Sequence, residues 1–133
     1  MRYGRMTMAA AGAVAVVVFA GAATAAGQLV PDEEAGAEIY AAQCRGCHTV
    51  SIAPTLRGIA DRPIAAVKEF GGYSNGLKAR AGEVWTEQNL DAFLAAPGTF
   101  APGTQMVLAV TDPQARADVI AYIRTLPPPR EGR

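Results

Sequence analysis

The stretch CRGCH, residues 44–48, contains both cysteines and the only histidine of this 133-residue chain. Its two thiols stand three positions apart and the imidazole follows directly, so three good ligands for soft metals and cofactors are gathered within about two helical turns. The remaining sequence offers no second set of this kind. The chain must therefore fold around whatever this stretch binds, and no other segment limits the possible folds so strongly.

The spacing C-x-x-C-H is the attachment sequence for c-type haem. The thiols of Cys44 and Cys47 can form thioethers with the two vinyl groups on one porphyrin edge, and His48 then directs its imidazole at the iron. A redox-active dithiol is an alternative, but it normally accompanies a βαβ pattern that this sequence lacks. Two further alternatives are half of a zinc site, which needs four ligands, and a structural disulfide beside a coincidental histidine. The spacing favours one covalently attached haem c.

A sixth iron ligand must come from another residue type, because His48 is the only histidine. Of the four methionines, three stand within the first eight residues, and Met106 is the only one after them. It occurs in APGTQM, where a turn at Pro102 and Gly103 would bring its thioether over the distal face of a porphyrin. The alternative is that Met106 fills core space, as methionine usually does. Its place in a Pro-Gly segment, rather than on an apolar helical face, favours ligation.

The first 25 residues have the pattern of a secretory signal peptide. Arg2 and Arg5 form a positive start, an uncharged apolar stretch follows, and the ATA at 23–25 is a suitable cleavage site. An uncleaved membrane anchor is the alternative, although few residues of the stretch are strongly apolar. We therefore expect a signal peptide at 1–25, one domain at 26–133 and a periplasmic location, with anchoring to the outer face of the inner membrane left open.

The size and charge of the mature chain restrict its function. About 108 residues remain without the leader, enough for one domain with a small core. Losing Arg2 and Arg5 leaves ten basic side chains against twelve acidic ones. This balance excludes the positive footprint of a nucleic-acid-binding protein. The charge is uneven, since six basic residues lie between Arg45 and Arg80.

Caps and apolar spacing predict three main helices and no strand. The first runs over 32–44 into the CRGCH stretch, the second over 86–97 and the third over 112–127. The last two each have an N-cap residue at the start and a proline at the end. Residues 49–84, rich in glycine and proline, are predicted to be mostly loop with one or two short helical turns. So long a loop in so small a domain needs something to wrap around.

These features together resemble the class I bacterial c-type cytochromes, a mono-haem family of the mitochondrial cytochrome c-like superfamily. The resemblance extends over about 36–126. Its motifs are Gly36-x-x-x-Tyr40-x-x-x-Cys44-x-x-Cys47-His48, Pro54-x-Leu56-x-Gly58, Arg62, Tyr73-Ser74, Trp85, LDAFLAAP, Pro102-Gly103-Thr104-x-Met106 and the helix of Tyr122. The resemblance implies a small all-α fold whose helices and loops wrap around one covalently bound haem. It makes Cys44 and Cys47 the attachment residues and His48 and Met106 the axial iron ligands.

The resemblance also implies roles for residues outside the attachment motif. Gly36 and Tyr40 would cross the last helix near Val119 and Tyr122, with the glycine allowing close approach of the two backbones.

Two further sets of contacts to the haem site follow from the same resemblance. The carbonyl of Pro54 would accept the second imidazole proton of His48 and so orient the ring. The residues that would hydrogen-bond the haem propionates are Arg62, Tyr73, Trp85 and Thr104. For Trp85 the alternative is the role of a plain core aromatic.

The sequence departs from the family pattern at three places. Only five residues separate His48 from Pro54, and Ala53 stands where the family usually has glycine. Phe93 replaces a tyrosine whose hydroxyl lies near the methionine sulfur in many relatives, so that hydrogen bond should be missing. The chain has only two lysines, and a lysine-rich docking ring is not evident.

The resemblance implies an electron carrier and not an enzyme, because His/Met ligation leaves no open iron position and a thioether favours ferrous iron. Its partners would be redox proteins, an oxidase, reductase, reaction centre or dehydrogenase, that dock weakly and transiently. Nucleic acid is not a partner, and a membrane is one only through other proteins or an uncleaved anchor. The basic stretch 45–80, with Gln105, Val107 and Ala101, is the expected docking face. The alternatives are a haem-based sensor or peroxidatic protein with a labile Met106, and a disulfide-containing domain without metal.

Overall fold

The first helical run ends in the CRGCH stretch and fixes where its thiols and imidazole lie. The structure is a computed structural model that describes residues 28–130, and the predicted signal peptide lies outside these residues. The run consists of α1 (Glu33–Ile39), a π-helical turn (Tyr40–Cys44) and α2 (Arg45–His48). The predicted helix is confirmed. The sequence pattern did not indicate the π-helical turn, a feature that is frequent at functional sites.

The carboxylate of Asp32 starts this run. It accepts hydrogen bonds from the backbone N–H groups of Glu34 and Ala35 at 2.9 and 3.1 Å, two groups that have no partner within the helix. The backbone N–H of Asp32 itself donates to the Asp118 carboxylate at 2.8 Å. One residue therefore caps α1 and also ties its start to the C-terminal part of the chain.

Two later helices begin at the predicted caps. The hydroxyl of Thr86 caps α4 (Glu87–Ala95), and the carboxylate of Asp112 caps α6 (Pro113–Thr125). Each side chain accepts a hydrogen bond from a backbone N–H of the first turn. Short polar side chains at these positions thus define the start of both helices, as the sequence indicates.

Pro97 begins a further short helix, α5 (Pro97–Phe100), instead of only ending α4. The break is at Ala96, which leaves the helical region with φ −153° and ψ 78°. Proline suits a first helical position because its missing N–H would have no partner there and its φ is already helical. The predicted end of the second helix before this proline is confirmed, and the sequence pattern did not indicate the short helix that Pro97 begins.

The last helix crosses the first with their backbones in direct contact. A β-carbon on Gly36 would overlap the backbone of Asp118. The rings of Tyr40 and Tyr122 pack with their centroids 5.3 Å apart, and Val119 between the helices is fully buried. The crossing that the family resemblance implies is confirmed.

The loop predicted over 49–84 is confirmed, and α3 (Asn75–Ala79) is the short helical turn within it. The part before α3 is the loop 49–74. The loop is pinned to the segment before α4, where the N–H of Trp85 donates to the carbonyl of Arg62 at 2.9 Å. An isolated antiparallel bridge adds to this contact. Between residues 28 and 130 there is no β-strand, and the all-α class is confirmed.

Candidate functional site

A cavity of about 270 Å³ opens beside the CRGCH stretch. Its wall is built from five parts of the chain: that stretch with the preceding Gln43, the loop 49–74, α3, α4 with the preceding Trp85, and the segment 104–108. Apolar side chains dominate the wall, as is usual for a site that holds a cofactor with few placed polar groups. They include Leu56, Ile59, Phe70, Leu77, Leu90 and Phe93.

Cys44 and Cys47 both line this cavity, and both are free thiols. Cys44 is buried, and burial raises the pKa of its thiol, whereas Cys47 is exposed. Within residues 28–130 no three His, Cys, Asp or Glu side chains converge as ligands of one metal ion. The two thiols and His48 are therefore not arranged as a zinc site. Separate thiols beside one cavity are instead what two thioether bonds to a porphyrin edge require.

His48 lines the cavity with its ring partly buried, and its Nδ1 lies 2.7 Å from the carbonyl oxygen of Pro54. Because a carbonyl can only accept, Nδ1 carries the proton and donates it, which leaves the lone pair of Nε2 for a metal. Burial lowers the pKa of His48, and the hydrogen bond to Pro54 acts in the opposite direction. The ring is thus neutral and oriented, through the contact that the family resemblance implies.

Met106 lines the same cavity as His48. It follows a turn at Gly103, whose φ of 78° lies in the region that glycine adopts without a steric cost. Its backbone N–H donates to Oγ1 of Thr104 at 3.4 Å. The turn therefore brings a thioether to the wall of the cavity that the imidazole also lines, which is the placement that ligation of one iron requires.

Of the four residues predicted to contact haem propionates, Tyr73, Trp85 and Thr104 line the cavity, and Arg62 does not. The Tyr73 hydroxyl accepts the N–H of Val67 at 3.2 Å, so its own proton can be donated elsewhere. Burial raises the pKa of Tyr73, while the Val67 hydrogen bond and the charge of Arg62 oppose this shift. Arg62 thus lies near enough to Tyr73 to lower its pKa, although Arg62 itself is not part of the cavity lining.

Trp85 enters the wall from an aromatic cluster. Its ring centroid lies 5.2 Å from that of Phe93 and 5.8 Å from that of Phe100. The guanidinium carbon of Arg80 lies 3.8 Å from the Phe100 centroid, within the range of a cation–π contact. Trp85 is therefore part of the core and of the cavity wall at once, so the two interpretations of this residue are compatible.

Sequence reasoning did not single out most of the apolar wall. Phe70 and Leu77 line the cavity from the loop and from α3, where burial follows no helical or strand period. The one available signal was indirect, namely that so long a loop needs something to wrap around. Ala101 was expected in the docking face, but its exposed fraction is 0 %. It is buried because α3 passes against the backbone there, with Gly76 directly beside it.

The wall as a whole fits a haem c. Two free thiols, an imidazole with an available Nε2, a thioether and a mostly apolar surface are the groups that a covalently attached haem uses. When bound, the haem supplies an iron that exchanges one electron between its ferric and ferrous states. The chain supplies the groups that hold it, orient it and separate it from water.

Comparisons with known proteins agree with this fit. A family profile described as Cytochrome c matches residues 33–127. "Cytochrome c-type cyt cy" of Rhodobacter capsulatus is 37% identical over 101 residues, which are 72% of this chain and 50% of that protein. The cytochrome c of Tetrahymena pyriformis is 37% identical over 100 residues, which are 71% of this chain and 89% of that protein. The match thus spans half the length of the first relative and most of the second.

Two solved structures share the fold. Cytochrome cH from Methylobacterium extorquens superposes with a TM-score of 0.59 and 33% identity, over 71% of this chain and 98% of its own. Cytochrome c2 from Rhodospirillum centenum superposes with a TM-score of 0.64 and 29% identity, over 73% of this chain and 99% of its own. The arrangement of helices and loops around the cavity is therefore that of an established fold.

Proposed function

The chain belongs to the cytochrome c family, and from this premise we propose a periplasmic carrier of single electrons whose iron is held by His48 and Met106. Proteins of this family are electron carriers and not enzymes, their cofactor is covalently attached haem c, and their partners are redox proteins. The proposal adds the compartment, the classes of partner and the residues of the site.

The observation that supports the proposal most strongly is the pair of unlike ligands in one cavity. The wall contains one neutral imidazole with an available Nε2 and one thioether, from His48 and Met106. With both in place, an iron keeps two protein ligands in either oxidation state and has no open position for a substrate. The soft thioether favours the ferrous state. Such a site passes an electron on instead of transforming a bound molecule.

The other wall residues have supporting roles in this proposal. Cys44 and Cys47 form the two thioether bonds, and the Pro54 carbonyl keeps the His48 ring oriented. The residues that donate hydrogen bonds to the haem propionates are Tyr73, Trp85 and Thr104. Arg62 also contacts the propionates in this proposal, and its positive charge acts on the neighbouring Tyr73.

The compartment and the partners rest on the sequence. The signal-peptide pattern of residues 1–25 supports export, cleavage before a domain at 26–133, and function in the periplasm. Within residues 28–130, no helix has the length and apolar character to cross a bilayer. The partners are an oxidase, reductase, photosynthetic reaction centre or dehydrogenase that meets the carrier in weak, short-lived encounters.

Replacing Met106 by alanine tests the proposal. We expect the sulfur–iron charge-transfer band to disappear and the midpoint potential to fall by more than about 59 mV, which is a tenfold change for one electron. Leu108→Ala is the matched control, because Leu108 lines the same cavity and carries no sulfur. An unchanged spectrum and potential in Met106→Ala would contradict the proposed ligation. Rapid binding of carbon monoxide by the reduced wild-type protein would favour a ligand sensor instead.

A further inference from the structure

The mouth of the cavity is formed by those lining residues that are also exposed to solvent, and none of them is charged. A partner comes nearest to a haem held in this cavity at this mouth, so the chemistry of the mouth sets the chemistry of the contact. The mouth residues are Gln43, Cys47, Ile52, Gly72, Gln105 and Val107.

Two of the six mouth residues, Ile52 and Val107, have exposed apolar side chains. Val107 has an exposed fraction of 94%, Ile52 of 69%, and Val50, two residues from Ile52 along the chain, of 50%. Single exposed apolar residues are ordinary on protein surfaces, but a group of them marks an interaction site. Val107 is the main apolar contact surface at the mouth, because nearly all of its surface faces solvent.

The basic residues between Arg45 and Arg80 do not form the mouth. None of them lines the cavity. Arg45 and Arg57 lie close enough to Tyr40 to lower its pKa against the larger effect of burial. The guanidinium of Arg80 is paired with the Glu83 carboxylate at 2.8 Å.

We infer that the mouth docks an uncharged, apolar patch of a redox protein, and that charge steering contributes little to this encounter. The inference rests on the proposed carrier function. It replaces the expectation that the basic stretch supplies the docking face. Apolar contact at a small interface gives a complex that forms without a specific ion pair and separates readily. Without the leader, the chain has ten basic side chains against twelve acidic ones, and so small a net charge steers a distant partner only weakly.

Electron self-exchange between oxidised and reduced copies of the holoprotein tests this surface, because each copy presents the same apolar mouth. NMR line broadening measures the rate constant over a series of ionic strengths. For the wild type we expect a change of less than about twofold between low and physiological salt. Val107→Asp places like charges against each other, and its rate should fall by about tenfold or more at low salt and recover as salt is added.

Two matched variants separate the charge and its position from other effects. Val107→Asn has nearly the size of Val107→Asp without its charge, and its rate should stay nearly independent of salt. Val30→Asp introduces the same charge at a residue that is 78% exposed and lies outside the cavity lining; its rate should match the wild type. A steep salt dependence of the wild-type rate, or equal rates for Val107→Asp and Val30→Asp, would overturn the inference.

The same samples distinguish this inference from the proposed function. If the sulfur–iron band or reversible one-electron reduction is missing, the carrier function itself is wrong. If both are present and the wild-type rate depends steeply on salt, only the apolar docking surface is wrong.

Discussion

At the α1–α6 crossing, protein packs directly against protein, whereas the loop 49–74 packs around a cavity. Gly36 lies against the backbone of Asp118, and Val119 has an exposed fraction of 0%. The buried Asp118 carboxylate accepts the N–H of Asp32 at 2.8 Å. Around the cavity, by contrast, several side chains of the loop line a shared space.

The loop also carries backbone strain that the crossing lacks. Asp61 and Ala65 each have a φ of 60°, a conformation that costs a residue with a β-carbon about 1–3 kcal/mol. Strain of this kind persists only where the surroundings hold it in place. The crossing therefore has its packing partners within the protein, whereas we expect a bound haem to be a further packing partner of the loop.

The largest expected effect comes from removing that partner. A haem-free chain with both Cys44→Ala and Cys47→Ala should show no cooperative thermal unfolding, because it loses stability comparable to the about 5–15 kcal/mol of a whole domain. The crossing keeps its contacts in principle, but two helices alone bury too little surface to fold. Circular dichroism and hydrogen exchange measure this, with the haem-bound single variant Cys47→Ala as control. A cooperative transition in the haem-free chain would show that the loop closes without haem.

The second effect is confined to the crossing. Gly36→Val should destabilise the holoprotein by about 3 kcal/mol, because the added side chain forces the backbones of α1 and α6 apart. The midpoint potential should stay unchanged, since Gly36 does not line the cavity. Denaturant unfolding and a redox titration measure the two quantities.

Gly98→Val is the matched control for this variant, because the space around Gly98 is open to a β-carbon. It should cost about 1 kcal/mol or less. Equal losses in the two variants would mean that the close approach at Gly36 does not limit the crossing. A shifted potential in Gly36→Val would mean that the crossing and the cavity are not separable.

The same contrast explains which features the sequence could predict. Thr86 and Asp112 cap their helices through local hydrogen bonds, and such contacts depend on a few neighbouring residues only. The CRGCH motif and the one methionine outside the leader pointed to the cavity because their chemistry is rare in this chain. Gly36 and Tyr40 could be placed at the crossing only through the family resemblance.

Features that depend on the packing of distant segments were not predictable in this way. Phe70 and Leu77 belong to the wall only because the loop and α3 close over the cavity. The burial of Ala101 depends on the passage of α3, which leaves no mark on the sequence around Ala101.

The smallest expected effect comes from a change at Phe93, where α4 meets the wall of the cavity. Phe93 belongs to α4 and lines the cavity that Met106 also lines. In Phe93→Tyr, a hydroxyl that donates to the Met106 sulfur would draw electron density from the thioether and favour ferrous iron further. The midpoint potential should therefore rise by less than about 59 mV, a tenfold change for one electron. Stability should change by about 1 kcal/mol or less, because the ring is retained.

Phe100→Tyr is the control for this change, since Phe100 belongs to the same aromatic cluster and does not line the cavity. A redox titration of both variants should show a rise for Phe93→Tyr alone. An equal shift in both would mean that a hydroxyl anywhere in the cluster changes the polarity around the haem. A shift in neither variant would mean that the hydroxyl at 93 does not reach the sulfur. Position 93 would then belong with Gly36 to the part of the protein that sets stability and leaves the potential alone.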